Sequence, residues 1–527
     1  MDDFDDDVTD ELSNDDIDAT INQVIINSQN HSRSGIQCYE LEPGKNRRGK
    51  ALKQNIFTVN HGPTSYAKNR MDGSALSAFL CLVDKSMLKL VVECTESFNA
   101  KTKDSEFSIT IQELLQFIAV LFCRGVFALN FSINGIWSKR YGIQIVKDLI
   151  SRNKFRSIMR FLRFDDRNSR KTRVSTDKFA LIRDVWDRFI ENCQASYRPS
   201  AELTIDEQLL TSRSRCSFTQ YMPNKPDKFG IKFWMLSEVD SKYIYNCFPY
   251  LGKHEEKSST DLLGEFVVKK LTQPLLNKGY HVTCDNFFSS LRLAQYLKAH
   301  RTSFLGTVKS NKSELPSIAS EKNLPLHSSK FFTTEDGDLL TIYQTKVKSN
   351  KNVIVLSTYH DSVHLDNTEK RKPSTIISYN QTKFGVDVVD QMTRKYTVKA
   401  PTRRWPVQVW YNILNLAAIN AHILYQKVNN IKIQRRNFIV KLIEDILDYQ
   451  PFDPIRSAKR KRMLEQAGQT TPRQSATKKP RLEKRRHCQI QSCQNKSFYV
   501  CSNCCSVTCG ACSYLKNPIL CLNCKKK

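Results

Sequence analysis

Long apolar runs are missing from this chain of 527 residues. The longest, Phe117 to Cys123, spans about seven residues, where a membrane-crossing helix needs roughly 20. A soluble chain with no membrane partner is therefore expected. A secretory signal is missing too, because such segments begin basic and then turn apolar, whereas the first eighteen residues hold ten acids and no base. This head has too little apolar content to fold and repels itself, so disorder is expected there. Acids are scarce at the other end, where Arg456 to Lys527 carries seventeen bases and two acids. No internal repeat is evident.

Positive charge is what the chain has in excess. Lysine and arginine number 81 against 53 acids, giving a net charge of +28 and a pI near 9.4, an imbalance that suits a nucleic-acid partner. The basic tail alone holds more than half of it. The length allows several domains, each with its own core. Of seventeen cysteines, nine fall between Cys488 and Cys524 and the others are scattered singly. Without a secretory route, that pattern favours reduced thiols and metal ligands over disulfides.

From about Asn55 to Ser200 the apolar pattern has helical spacing. Thr110 and Glu113 form a capping box ahead of Leu114, Leu115, Phe117, Ile118 and Leu121. Asp177 is placed to cap a second helix with the stripe Phe179, Ile182, Val185, Trp186, Phe189 and Cys193. Arg156, Arg160, Arg163, Arg167 and Arg170 either track a phosphate backbone or form a solvated helix face. After Pro199 the period changes to strands at Leu203 to Asp206, Gly230 to Val239, Tyr243 to Pro249, His281 to Asp285 and Phe304 to Lys309, alternating with helices. That order predicts a mixed α/β sheet with helices on at least one face. Short strands between Asn311 and Pro373 predict an all-β insertion. Pro406 suits the first turn of a packed helix running through Ile423.

Three acids stand out. Asp206 and Asp285 each close a predicted strand, and Asp387 shares a helix face with Asp390 three residues on. Phosphoryl transfer between nucleic-acid strands needs charge neutralised on the attacking and leaving oxygens, which two Mg²⁺ ions supply when a few carboxylates sit on rigid elements. Spacing alone equally allows three unrelated surface acids. In the tail, Cys488 with Cys493, Cys501 with Cys504, Cys509 with Cys512, and Cys521 with Cys524 make eight thiolates for two tetrahedral Zn²⁺ ions. In so short a segment metal supplies much of the folding free energy. In a cross-brace the first and third pairs share one ion, the second and fourth the other. Cys505 is left over, and His487 competes with Cys488, whose pair is spaced by four residues instead of two.

The motifs Leu203-Thr-Ile-Asp-Glu-Gln-Leu-Leu, Tyr221-Met-Pro-Asn-Lys-Pro, Phe229-Gly-Ile-Lys, Val282-Thr-Cys-Asp-Asn, Gly306-Thr-Val-Lys-Ser-Asn-Lys, Tyr379-Asn-Gln-Thr-Lys, Gly385-Val-Asp-Val-Val-Asp-Gln-Met and Arg404-Trp-Pro follow in order. With them the chain resembles the piggyBac transposase family from about Asn55 onward. The resemblance implies an RNase H-like catalytic core interrupted by a β-rich insertion, a helical dimerisation and DNA-binding domain, and a C-terminal cross-brace zinc domain. It also implies that Asp206, Asp285 and Asp387 bind Mg²⁺, with Asp390 as an additional catalytic aspartate. The expected DNA contacts are Arg213, Arg215, Lys309, Lys312, Arg403, Arg404 and Trp405, although Trp405 also suits a buried anchor.

The implied layout is an acidic head 1–54, helical segments 55–201 and 397–455, catalytic segments 202–312 and 374–396, the insertion 313–373, a basic linker 456–487 with nuclear-import clusters, and the zinc domain 488–527. The implied activity is cut-and-paste transposition by a nuclear homodimer, through hairpin intermediates, into TTAA double-stranded DNA. Two other readings are a domesticated, non-catalytic DNA-binding protein and a RING- or PHD-like interaction module. The second leaves the three acid motifs unexplained. The zinc pattern departs from the family at Cys512, where a histidine is often found, and in the wide first pair.

Overall fold

A computed structural model describes residues 32–525 apart from 33, 46–55, 103–106, 128–131, 224, 253–256, 258–260, 322–323, 346–351, 450–480, 491–492, 502, 505 and 517–518. Residues 1–31 of the acidic head and the basic clusters at 459–462 and 478–479 lie outside the described residues. The main strands in chain order are β1 (Cys38–Glu40), β2 (Gly62–Pro63), β3 (Tyr197–Arg198), β4 (Glu202–Thr211), β5 (Thr219–Tyr221), β6 (Phe229–Glu238), β7 (Ile244–Pro249), β8 (His281–Cys284), β9 (Ser303–Thr307), β10 (Ser329–Thr334), β11 (Leu339–Gln344) and β12 (Asn352–Ser357). No helix among the described residues is long and apolar enough to cross a membrane.

The chain divides into two units. The first, residues 1–58, 201–205 and 256–384, is built on a mixed sheet in the order β1-β10-β11-β12-β9-β8 and the start of β4. Pairing is parallel at β4/β8 and β8/β9 and antiparallel elsewhere. The parallel strands are short β-branched and apolar runs buried on both faces, as such pairing requires. The helix Leu291–Ala299 joins β8 to β9 and buries Leu293, Ala294 and Leu297, while Leu263–Thr272 buries Val267, Val268 and Leu271.

Two details of this unit differ from the sequence reading. The strands expected to form a separate insertion, β10 to β12, extend the same sheet through β12/β9 pairing. The stretch 38–40, expected within a disordered head, is the outermost strand: Cys38 pairs with Thr334 and Glu40 with Phe332. Three residues carry too little pattern to announce a strand, and this one exists because β10 offers it an open edge.

The second unit, residues 59–200, 206–255 and 385–527, holds the remainder of β4, with β6 beside it and β5 and β7 antiparallel to β6. Gly230 brings β6 so close to β4 that an added Cβ would stand 2.2 Å from the Leu210 carbonyl oxygen. Its helices follow the predicted stripes. Thr110 and Glu113 cap Ile111–Phe127 reciprocally, at 3.1 and 2.9 Å. Phe179, Ile182, Val185, Trp186, Phe189 and Cys193 are all buried. Asp177 does not cap that helix, which begins at Arg183 without a side-chain cap; it accepts from the Phe179 N–H instead and pairs with Arg183 at 2.9 Å. The 25-residue helix Trp405–Asn429 has proline in its first turn and ends on Asn430 at φ 52°.

Candidate active site and cysteine clusters

The strand expected to stop at Asp206 continues to Thr211. Pairing with β8 ends at Ile205 opposite Cys284, so Asp206 and Asp285 are each the next residue after the last paired positions of two parallel strands. Beyond it β4 is held by β6 and by Gln208, which is 1% exposed and accepts from Asn412 Nδ2 at 2.9 Å. Gln208 thus positions the strand, as a buried amide with a satisfied partner does. Asp206 is half-buried and accepts from the Glu207 N–H at 2.8 Å. Asp285 opens the turn after β8, accepting from the Phe287 N–H at 2.8 Å.

Asp387 and Asp390 both lie on the helix Gly385–Lys395, with Asp387 in its first turn, where the helix dipole favours negative charge. Lys225 reaches this helix from the turn between β5 and β6. Its Nζ lies 3.3 Å from Asp387 Oδ1 and donates to the Glu207 carbonyl at 3.1 Å. Burial alone would lower the pKa of this ammonium, but Asp206, Asp387 and Glu207 outweigh it and raise it. A cation is therefore already held against Asp387 and against the carbonyl of Glu207, the residue after Asp206. Asp390 is buried and pairs with Arg394 at 3.0 Å, and Arg394 also reaches Asp227 at 3.2 Å. Burial raises Asp390 above the usual carboxylate range against the pull of Arg394 and Lys225. The structure thus brings Asp206, Asp387 and Asp390 around Lys225 and Arg394.

Sequence reasoning does not single out Lys225 or Arg394. Lys225 is visible there only as part of the Tyr221-to-Pro226 motif, because a turn lysine carries no periodicity.

The expected DNA contacts fall into two groups. Arg213, Arg215, Lys309 and Arg403 are exposed and Lys312 is half-buried. Arg404 is engaged internally: its guanidinium donates to the carbonyls of Leu162, at 2.8 Å, and Met159, at the C-terminal end of the helix Arg152–Phe161. Trp405 stacks on Phe179, centroids 5.6 Å apart, and meets Phe218 edge-on at 5.1 Å, the anchoring role over the base-stacking one. Arg170 forks onto Asp165 at 2.8 and 2.9 Å. Arg163 lies 3.6 Å over the Phe98 ring, its pKa pushed down to about 10, first by burial and then by Arg404 and Arg170.

The tail gathers its thiols in two sets, Cys488, Cys493, Cys509 and Cys512, and Cys501, Cys504, Cys521 and Cys524, each with ligand atoms within 4.8 Å of one another. This is the cross-brace order, first pair with third and second with fourth. Burial would raise Cys501, yet the N–H groups of Cys504, Cys521 and Asn503 bring it down to about 7. Cys509 also falls to about 7, where Asn495 and the Cys512 N–H outweigh burial. Four soft sulfurs in each set fit zinc. Cys488, not His487, belongs to the first set; His487 contacts the Gln494 carbonyl. Cys505 lies outside the described residues. The tail is held to the helix Ser65–Arg70 by Arg70, which donates to the Gln489 carbonyl at 2.8 Å and lies over the Tyr66 ring.

Residues 74–422 match the family described as Transposase IS4. Among human proteins, the chain is 23% identical over 411 residues to PiggyBac transposable element-derived protein 3, covering 73% of this chain and 66% of that protein. It is 24% identical over 422 residues to PiggyBac transposable element-derived protein 2, covering 69% of it. The match to the chimeric ERCC6-PGBD3 protein covers 37% of its length. Among solved structures, the cryo-EM structure of a piggyBac transposase synaptic complex with hairpin DNA superposes with TM-score 0.69 and 29% identity, over 88% of this chain and 100% of that one.

Proposed function

The chain belongs to the piggyBac-type Transposase IS4 family, and from that premise we propose that it is a cut-and-paste DNA transposase. It would cleave transposon ends through hairpin intermediates and join the freed 3′-OH ends to TTAA targets, acting as a homodimer in the nucleus. The observation that carries this reading is the gathering of Asp206 and Asp387 about one cation, Lys225, with Asp390 on the same helix face. Each proposed step is an in-line displacement in which one P–O bond forms as another breaks, so a single site serves all of them.

Asp206, Asp285 and Asp387 are the proposed carboxylates for Mg²⁺. Their hard oxygens fit that ion, and the pull that Asp206 and Asp387 exert on the Lys225 ammonium is the attraction a metal would meet. When bound, Mg²⁺ supplies charge neutralisation at the attacking and leaving oxygens. Asp206 sits on a strand locked by Gln208 and Asn412, and Asp387 on a helix pinned by Arg394, Asp227 and Lys225, so the carboxylates are fixed by packing. Asp390, the additional aspartate of the proposed site, pairs with Arg394 one turn along the same helix. The two thiolate sets are proposed to hold structural Zn²⁺, and the tail to recognise transposon ends.

Substituting Asp206→Asn, Asp285→Asn or Asp387→Asn is expected to abolish Mg²⁺-dependent cleavage of a cognate end and to preserve end binding. Full cleavage by any one variant removes that residue from the site. Wild-type protein that binds ends tightly but never cuts them would instead mark a domesticated DNA-binding protein.

A further inference from the structure

Asp285 heads a turn that closes on its own carbonyl oxygen, which accepts from the Ser289 hydroxyl at 2.8 Å and from the Phe288 N–H at 3.3 Å. Ser289 and Ser290, which end the turn, are buried. The turn is also walled in on two sides. A Cβ added at Gly306 on β9 would stand 2.5 Å from Ser289 Oγ, and one added at Gly264 would stand 2.5 Å from the Phe287 carbonyl oxygen and 2.8 Å from Phe288 Cα. Glycine at 264 thus lets the first turn of the helix Leu263–Thr272 lie directly on the segment that follows Asp285.

That close approach delivers the next residue, Glu265, to the end of the turn. Glu265 is fully buried. One of its carboxylate oxygens accepts from Ser290 Oγ at 2.6 Å and the other from the Arg292 guanidinium. Ser290 Oγ in turn accepts from the Leu293 N–H at 3.1 Å and caps the helix Leu291–Ala299. As support for the fold alone, this carboxylate is poorly suited. Arg292 is half-exposed, so water screens its attraction, and a buried ion pair is often no more stable than apolar side chains of the same volume. An apolar side chain, however, offers Ser290 no acceptor and cannot fix the direction of its hydroxyl.

We infer that Glu265 is a positioning residue for Asp285, fixing through Ser290 the turn from which the Asp285 carboxylate is presented to a metal ion. This rests on the reading of Asp285 as a carboxylate for Mg²⁺. Glu265 acts through hydrogen bonds, at one remove from the ion, as outer partners of metal ligands do. Losing such a partner costs about 10–100-fold in metal affinity.

The test is Mn²⁺ binding by the full chain, followed by calorimetry without DNA, beside thermal melting. Glu265→Met keeps the volume, removes both acceptors and should bind Mn²⁺ at least about tenfold more weakly. Ser290→Ala should reproduce the loss, and combining the two should add little, because one path carries both effects. Glu265→Gln removes the same charge yet keeps an oxygen for Ser290, and should keep the wild-type affinity. Asp285→Asn sets the scale for a lost ligand. If it binds Mn²⁺ as the wild type does, or the wild type binds none, the metal reading of Asp285 falls and the positioning role with it. If Asp285→Asn weakens binding while Glu265→Met and Ser290→Ala melt and bind like the wild type, the positioning role alone is overturned. Equal losses in Glu265→Met and Glu265→Gln, with Ser290→Ala unaffected, mark an effect of charge and overturn it as well. Should Glu265→Met melt far below the wild type, Ser290→Ala, which loses a single hydroxyl, decides.

Discussion

Replacing Lys225 with methionine removes the ammonium that touches Asp387 and leaves its hydrocarbon stem in place. The pair stands at 3.3 Å with Lys225 16% exposed and Asp387 52% exposed. Unit charges at that separation attract by about 5 kcal/mol at an effective dielectric constant of about 20. Solvent at the half-open carboxylate screens most of this, leaving about 1 kcal/mol. A divalent ion entering between Asp206 and Asp387 must displace or repel that ammonium, so Lys225→Met is expected to bind the ion about fivefold more tightly, by the same 1 kcal/mol. The measurement is Mn²⁺ binding by calorimetry, with no DNA present and no turnover read. Lys225→Arg keeps the charge and should keep the wild-type midpoint. If Lys225→Met melts like the wild type but binds Mn²⁺ equally or more weakly, the ammonium does not occupy the position a metal would take.

Chelation with a strong zinc ligand, or Cys501→Ser, should unfold the tail while the melting of the remainder stays unchanged, read as new fast-exchanging amides confined to residues beyond 487; thiolate sets in a short segment supply its folding free energy. His281 and His422 carry pKa values lowered chiefly by burial. The folded state thus binds fewer protons than the unfolded chain, so stability is complete above the ordinary imidazole value of about 6.5 and falls as pH drops below it. Urea midpoints between pH 5 and 7.5 should show that decline, and His422→Gln should flatten its own share of it. Arg404→Ala should cost about 1–3 kcal/mol in urea unfolding, because it takes the Arg404 donor from the Met159 carbonyl and leaves the Leu162 carbonyl to Arg163. A surface phosphate-binding arginine would cost almost nothing.

Local chemistry was legible in the sequence wherever the partners were near in the chain. The capping box Thr110/Glu113 and the cysteine pairs are set by spacings of a few residues, and the structure reproduces the box and joins the pairs in the cross-brace order. The strands around Gly230 to Pro249 and Phe304 were legible from their β-branched runs. What depended on distant partners was not. Glu207 and Gln208 are expected to position the strand, but the partner that does this for Gln208, Asn412, lies some two hundred residues on and gives no local signal. Arg404 reads as a nucleic-acid residue from its type, while Met159 and Leu162, which engage it, give no signal near residue 404; for Trp405 the anchoring reading was open, but not its partner Phe179. Likewise nothing in the turn 222–228 announces that Lys225 faces an aspartate on a helix beginning at Gly385.

The short strand β1 bears on how the protein should be handled at the bench. A truncation placed to discard the whole acidic N-terminal stretch, at residue 45 for instance, would also remove Cys38–Glu40 from the margin of β10. Ser329–Thr334 would then present unsatisfied backbone N–H and C=O groups along a strand that includes Phe331 and Phe332, a template for pairing with the same strand of another molecule. A cut ahead of Ser32 keeps the guard strand and its bridge to Pro316, and so removes the acidic charge without exposing a sticky edge.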